Sequence, residues 1–188
     1  MKLLIVDNND SFTYNLVQMV EEAGCMNYEV ILHDLIDPEK VSCFDKILIS
    51  PGPSLPMDYP ILNKLFRLYG SKKCFLGICL GMQAMNQYFG GQLYNMSEVI
   101  HGQEYKVDIL KNDLLFNDLQ NQISVGLYHS WAVSEIDLPE CLEITSRSSK
   151  GIIMSLRHKE YDIKGLQFHP ESIITKHGFQ IIKNWVQA

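Results

Sequence analysis

The stretch Lys73-Cys74-Phe75-Leu76-Gly77-Ile78-Cys79-Leu80-Gly81-Met82-Gln83 decides the fold. Phe75 to Ile78 is a short apolar run of the kind that forms a buried strand, and the residues after Cys79 suit a helix running to about Phe89. Cys79 stands at the corner. Gly77 and Gly81, two places before and two after it, remove the Cβ atoms that would collide where strand and helix pack closely. They also permit the strained backbone of a tight strand-to-helix turn. A strand feeding directly into a helix is the repeating unit of an α/β fold.

Outward from this turn the same alternation recurs. Leu3 to Val6, Val30 to Leu32 and Ile47 to Ile49 read as strands, while Phe12 to Val20 and Ile61 to Leu68 carry helical periodicity. Asp7-Asn8-Asn9-Asp10 supplies short polar side chains that turn the chain and cap a helix opening at Ser11, and Gly24 supplies its stop. Beyond Gly90-Gly91 the texture changes. Tyr105 to Leu110, Ile123 to Tyr128, Leu142 to Thr145 and Ile152 to Leu156 are β-branched and aromatic runs between polar turns, which predicts hairpins and meanders. A last strand, Ile163 to Phe168, leads through His169-Pro170-Glu171 into a C-terminal helix with apolar positions Phe179, Ile182, Trp185 and Val186. The expected architecture is α/β, an open, mostly parallel sheet flanked by helices with an antiparallel β extension in the second half. For 188 residues one continuous core is expected, so 1–188 reads as a single domain.

Hydrophobic residues make up 46% and charged residues 20%, the balance of an ordinary folded protein and not of a disordered or fibrous one. The 16 Lys and Arg against 22 Asp and Glu leave −6, with no basic cluster dense enough to track a phosphate backbone, so no nucleic acid partner is expected. No apolar stretch approaches the roughly 18 residues that span a bilayer, and the run before Asp7 is too short for a signal h-region. No membrane association and a cytoplasmic location are therefore expected. Five cysteines, Cys25, Cys43, Cys74, Cys79 and Cys141, form an odd set without paired ligand spacing, which argues against a disulfide framework and a zinc site. Four of them read as small apolar residues. Only Cys79 has a context that says otherwise.

A cysteine at a strand-to-helix corner is either a packed thiol or a nucleophile whose thiolate the helix N-terminus favours. A nucleophile needs an imidazole to take and return its proton, and the imidazole needs a carboxylate to hold its orientation. Gln167-Phe168-His169-Pro170-Glu171-Ser172 offers both, because a strand ending there delivers His169 to the edge of the sheet where α/β proteins place ligands, with Glu171 two residues on. The alternative is a structural histidine and a helix-start acid. The amide of Leu80, following the nucleophile, is one candidate donor for a tetrahedral oxyanion. The loop Ser50-Pro51-Gly52-Pro53-Ser54 is the other, where Gly52 can bring its N–H close to a substrate, unless Pro-Gly-Pro is simply a rigid turn. Gln83 lies one helical turn from Cys79 on the same face, either beside a substrate or at the surface. His101 and His129 have no adjacent carboxylate and read as packing or partner-contact residues; His33, His158 and His177 carry no motif.

Gly77-Ile78-Cys79-Leu80-Gly81-Met82-Gln83 together with Phe168-His169-Pro170-Glu171-Ser172 resembles the class I, or triad-type, glutamine amidotransferases. Asp7-Asn8-Asn9-Asp10-Ser11-Phe12-Thr13-Tyr14-Asn15-Leu16, Ser50-Pro51-Gly52-Pro53, His101-Gly102 and Tyr128-His129-Ser130 are similar to the small subunits of anthranilate synthase and aminodeoxychorismate synthase within that family. The resemblance covers essentially the whole chain and implies a flavodoxin-like sheet. It implies hydrolysis of glutamine through a Cys79 thioester, with Cys79, His169 and Glu171 as triad, and ammonia passed to a separate chorismate-binding synthase subunit. By the same resemblance Gly52 and Leu80 form the oxyanion hole, and Gly52, Gln83 and the backbone of Ser130 and Trp131 hold glutamine. No metal or organic cofactor is implied. Two positions depart from the family pattern: Ser54 stands where Pro-Gly-Pro is usually followed by Gly, and Trp131 where Leu is common. A stand-alone cysteine hydrolase of γ-glutamyl amides or peptides is the alternative activity. A non-catalytic binding subunit is the alternative class, although such a chain would be expected to lose a triad member. Activity is expected to be low without the synthase subunit, whose binding should order the loop at Gly52.

Overall fold

In the computed structural model, which describes residues 1–97 and 101–188, Leu3, Leu4, Ile5 and Val6 are all fully buried. Strand β1 (Leu3–Asp7) lies inside a sheet covered on both faces, so its side chains find apolar partners whichever way they point. The chain continues through α1 (Thr13–Glu22), β2 (Tyr28–Leu32), β3 (Lys46–Ile49), α2 (Pro60–Tyr69), β4 (Cys74–Ile78) and α3 (Leu80–Tyr88). Then follow β5 (Leu93–Asn95), β6 (Gln103–Ile109), β7 (Gln122–Leu127), β8 (Trp131–Val133), β9 (Leu142–Ser148), β10 (Ile153–His158), β11 (Ile163–Leu166) and α4 (Gly178–Gln187).

Among the described residues the main sheet has nine strands in the order β2-β1-β3-β4-β11-β10-β9-β6-β7. The first five are mutually parallel, in flavodoxin-like order. From β11 onward every pairing is antiparallel, which is the expected extension. The alternation of β1 separates two apolar layers. Leu3 and Ile5 pack with Leu16 and Val20 of α1 and with Ile182 and Trp185 of α4, whereas Leu4 and Val6 pack with Leu62 and Leu65 of α2 and Met85 of α3.

Local details differ from the sequence expectation for identifiable reasons. Helix α1 opens at Thr13, not Ser11. The acids bracket the preceding turn: the Phe12 N–H donates to Asp10 Oδ1 at 2.8 Å and the Thr13 hydroxyl to Asp7 Oδ1 at 2.9 Å. Gly24 does end this helix, at φ +94°, with its N–H on the Glu21 carbonyl and that of Cys25 on Val20. In α4 the buried face is set by Ile181, Ile182, Trp185 and Val186, and Phe179 is left exposed. The two-stranded β5–β8 sheet leaves no mark in the sequence pattern; three residues per strand are too few to display a period of two.

Candidate active site

The turn at Cys79 is built on a trough paved with glycine. Gly77 of β4 lies in register with Gly165 of β11, and α3 descends onto both. A Cβ on Gly77 would stand 2.4 Å from the Gly81 carbonyl carbon, and one on Gly165 would stand 2.5 Å from Met82 Cγ. That close approach forces the corner residue into φ +50°, ψ −96°, a conformation costing an L-residue about 1–3 kcal/mol. The Cys79 N–H donates to the Leu166 carbonyl at 2.6 Å, so the end of β11 holds the corner. Cys79 is therefore the residue of the strained turn, as its flanking glycines implied.

Because β11 neighbours β4, it delivers His169 to the same edge. The His169 N–H bonds the Gly126 carbonyl at 3.1 Å, and its own carbonyl accepts from Thr175 Oγ1 at 2.6 Å. Its Nδ1 lies 2.6 Å from Glu171 Oε1, with both side chains almost wholly inaccessible. Burial opposes a charge on this imidazole, but Cys79 and Glu171 together outweigh it and raise the ring well above its ordinary value. Nε2, the nitrogen not used by Glu171, is buried without a well-aligned partner. Around the ring stand Tyr128, with centroids 5.0 Å apart, and Phe12, at 6.4 Å. The Tyr128 hydroxyl and Ser172 Oγ are 2.9 Å apart.

A cavity of about 190 Å³ opens over Cys79, lined by Gly52, Pro53, Ser54, Cys79, Leu80, Gln83, Tyr128, His129, Ser130 and Trp131. It gathers the nucleophile candidate, both oxyanion candidates and every expected substrate contact. His169 and Glu171 are not among its walls. Leu80 is the first residue of α3, so its N–H has no acceptor within the helix. The Gly52 loop is stiffened by more than its prolines. Asn8 Nδ2 donates to the Ser50 carbonyl at 2.8 Å, and the Tyr59 hydroxyl donates to the Pro53 carbonyl at 2.7 Å. A Cβ on Gly52 would meet Asn8 Cβ and Leu80 Cδ2 at 2.7 Å each. Ser54 has φ +68°, the left-handed region where glycine is at ease, which is the physical sense of its departure from Pro-Gly-Pro-Gly.

At the opposite wall, Met96 N–H donates to the Ser130 carbonyl and Ser134 N–H to the Gln92 carbonyl. Trp131, opposite Asn95, is thereby at a non-hydrogen-bonded position of the β5–β8 ladder, so its N–H and C=O both point away from β5. The carbonyl meets Gln83 Nε2 and His129 Nδ1, each at 2.9 Å. Burial pushes His129 down to about 4, so it is neutral and Nδ1 carries the proton. His129 is thus a packed, pocket-lining residue. His101 is exposed, edge-on to Tyr128 with centroids 5.3 Å apart. Sequence reasoning missed Gln167, whose Nε2 lies 3.4 Å from Cys79 Sγ. Its place two residues before His169 was the available signal.

The family model "Glutamine amidotransferase class-I" matches residues 4–188. A Haemophilus influenzae protein assigned as anthranilate synthase component II is 42% identical over 186 residues, spanning 99% of this chain and 96% of its own. Aminodeoxychorismate synthase component 2 of Escherichia coli K12 is 39% identical over 189 residues, 98% of each chain. Among solved structures, a Thermoplasma acidophilum protein assigned to GMP synthase superposes with a TM-score of 0.89 over 100% of this chain and 92% of that one. At 24% identity it speaks for the shared fold.

Proposed function

Because the chain belongs to the class I glutamine amidotransferases, we infer that Cys79, His169 and Glu171 are its catalytic triad and that the ammonia they release serves a separate chorismate-binding synthase subunit. The single observation that carries the triad is the buried His169–Glu171 pair, 2.6 Å apart, acting on the charge of an imidazole that Cys79 also favours in its protonated form. In the first step Cys79 Sγ, as thiolate, bonds to the side-chain amide carbon of glutamine and the carbonyl π pair moves onto oxygen. The N–H groups of Gly52 and Leu80 receive that oxyanion. Collapse re-forms the carbonyl and breaks the C–N bond while His169 protonates the departing nitrogen, releasing ammonia. Water then adds to the thioester as His169 takes its proton, and the second collapse expels the thiolate and leaves glutamate.

The amino-acid end of glutamine is assigned to Gln83, Ser130 and Trp131. Trp131 presents an N–H turned away from its ladder, suited to the α-carboxylate. Gln83 spends its Nε2 on Trp131 and Gln167, which leaves Oε1 as acceptor for the α-ammonium group. The cavity is small beside the roughly 300–1,000 Å³ of drug-sized sites, which favours free glutamine over a γ-glutamyl peptide.

Relatives named as components of anthranilate and aminodeoxychorismate synthases support the partner subunit. Residues 1–188 act as one amidotransferase domain in this reading, in the cytoplasm. No helix among the described residues is long and apolar enough to cross a membrane. The test is to purify the complex and assay product formation from chorismate with glutamine and, separately, with ammonia. The Cys79→Ser variant should lose the glutamine-dependent reaction and keep the ammonia-dependent one. Full glutamine-dependent activity in that variant would overturn the reading. Glutamate release should also be low from the isolated chain and rise when the synthase subunit binds.

A further inference from the structure

Gln167 is completely buried, and its side chain bridges two groups. Gln83 Nε2 donates to its Oε1 at 3.3 Å, and its own Nε2 reaches Cys79 Sγ at 3.4 Å. The directions of these bonds are forced from one end. The Trp131 carbonyl can only accept, so Gln83 must turn its amino group toward it. That same amino group then meets Gln167, which must answer with oxygen and thereby turns its NH₂ toward the sulfur. The main chain holds the residue in place, with the Gln167 N–H on the Met154 carbonyl at 2.8 Å.

The sulfur is the only acceptor the protein gives this buried NH₂ among the described residues. A neutral thiol is a weak acceptor and compensates poorly for desolvating an amide, whereas a charged acceptor roughly doubles the strength of the bond. A glutamine locked in this orientation is therefore matched to an ionised cysteine and mismatched to a neutral one. Hydrophobic filling would need neither the amide nor the second glutamine that orients it.

We propose that Gln167 is a positioning residue of the reaction, its side-chain amide donating to Cys79 Sγ so that the thiolate is favoured and fixed, with Gln83 and the Trp131 carbonyl setting the direction of that donor. The proposal rests on the reading of Cys79 as the nucleophile. It ties the wall assigned to the amino-acid end of the substrate to the attacking atom through three consecutive hydrogen bonds, a link independent of His169.

The test is the rate of Cys79 alkylation by iodoacetamide as a function of pH, followed by mass spectrometry of the Cys79 peptide in the full-length chain. The parent is compared with Gln167→Met, which keeps the length and removes the donor. The expected result is about tenfold slower alkylation on the acid side, with the profile displaced upward by about one pH unit and the two curves converging at high pH. Superimposed profiles, even with a lowered Tm, would overturn the proposal and leave Gln167 as packing. A parent Cys79 that reacts no faster than a free thiol at neutral pH would instead overturn the reading of Cys79 as nucleophile. Should the Met variant not fold, the side-chain amide protons of Gln167 can be followed by NMR in the parent. They are expected to shift with the same midpoint as Cys79 alkylation, and a signal unchanged between the parent and Cys79→Ala would overturn the proposal.

Discussion

Replacing Gly77 by alanine tests whether the corner at Cys79 depends on backbone contact between strand and helix. The added Cβ would lie 2.4 Å from the Gly81 carbonyl carbon, 2.6 Å from its oxygen and 2.8 Å from the Met82 nitrogen. All three are main-chain atoms, so no rotamer change relieves the collision, and α3 must lift from β4 by about 1 Å. Overpacking of this kind costs about 3 kcal/mol, the upper end of its usual range, or a fall in Tm of roughly 6–12 °C for a chain of this size. The lift also carries the Leu80 N–H and Cys79 Sγ with it, and a displacement near 1 Å costs about 100-fold in rate. Gly81→Ala is the graded comparison, since its Cβ would approach the Ile49 Cβ and Cγ2 at 3.0 Å and the Ile49 carbonyl oxygen at 3.1 Å, a tight contact that asks for shifts of a few tenths of an ångström where Gly77→Ala asks for far more. Thermal unfolding and glutamine-dependent turnover of both variants with the synthase subunit should rank Gly77→Ala well below Gly81→Ala. Equal Tm and turnover for the Gly77 variant and the parent would refute the reasoning.

Ser54→Gly removes a side chain from φ +68°; relief of about 1–2 kcal/mol, less about 0.5–1 kcal/mol for glycine's freedom in the unfolded chain, leaves a gain visible as a Tm higher by a few degrees, and a lower Tm would contradict it. Glu171→Gln leaves the charged form of His169 without its partner at 2.6 Å, so kcat should fall roughly tenfold to hundredfold with the KM for glutamine little changed, as steady-state kinetics will report. Stability should fall as pH drops from 6.5 toward 4. His129, held at about 4 by burial, stays neutral in the fold while the unfolded chain takes up a proton, giving a slope approaching about 1.4 kcal/mol per pH unit. His169 has the opposite sign: its contribution is whole below pH 6.5 and is lost as pH rises through its elevated value. Urea unfolding across pH should show a shallower acid limb for His129→Gln than for the parent, and identical limbs would contradict this assignment.

The corner at Cys79 was legible because glycines at fixed offsets on either side of a cysteine mark a close contact, strictest at Gly77, where an added Cβ would fall 2.4 Å from the Gly81 main chain. The parallel strands were legible because burial on both faces writes continuous apolar runs such as Leu3 to Val6. His169 and Glu171 stood out as an imidazole and a carboxylate at the end of one strand. Gln167 did not. Its chemistry depends on β11 lying beside β4, a neighbour relation between segments 88 residues apart. The strain at Ser54 was likewise hidden, since a serine ordinarily takes negative φ and only the folded loop imposes the positive one. Phe179 shares an apolar spacing with Ile182 and Val186, but the arc that α4 buries is centred on Ile182 and Trp185 and includes Ile181, which leaves Phe179 at its edge; only the packing of the helix selects that arc.

The most direct measurement is rapid acid quench of the complex during turnover with isotopically labelled glutamine, followed by mass spectrometry of the peptide carrying Cys79. A labelled glutamyl group on Cys79 that forms and decays at least as fast as glutamate appears is the predicted result. Glutamate formed at the full rate with Cys79 never acylated would contradict the central claim.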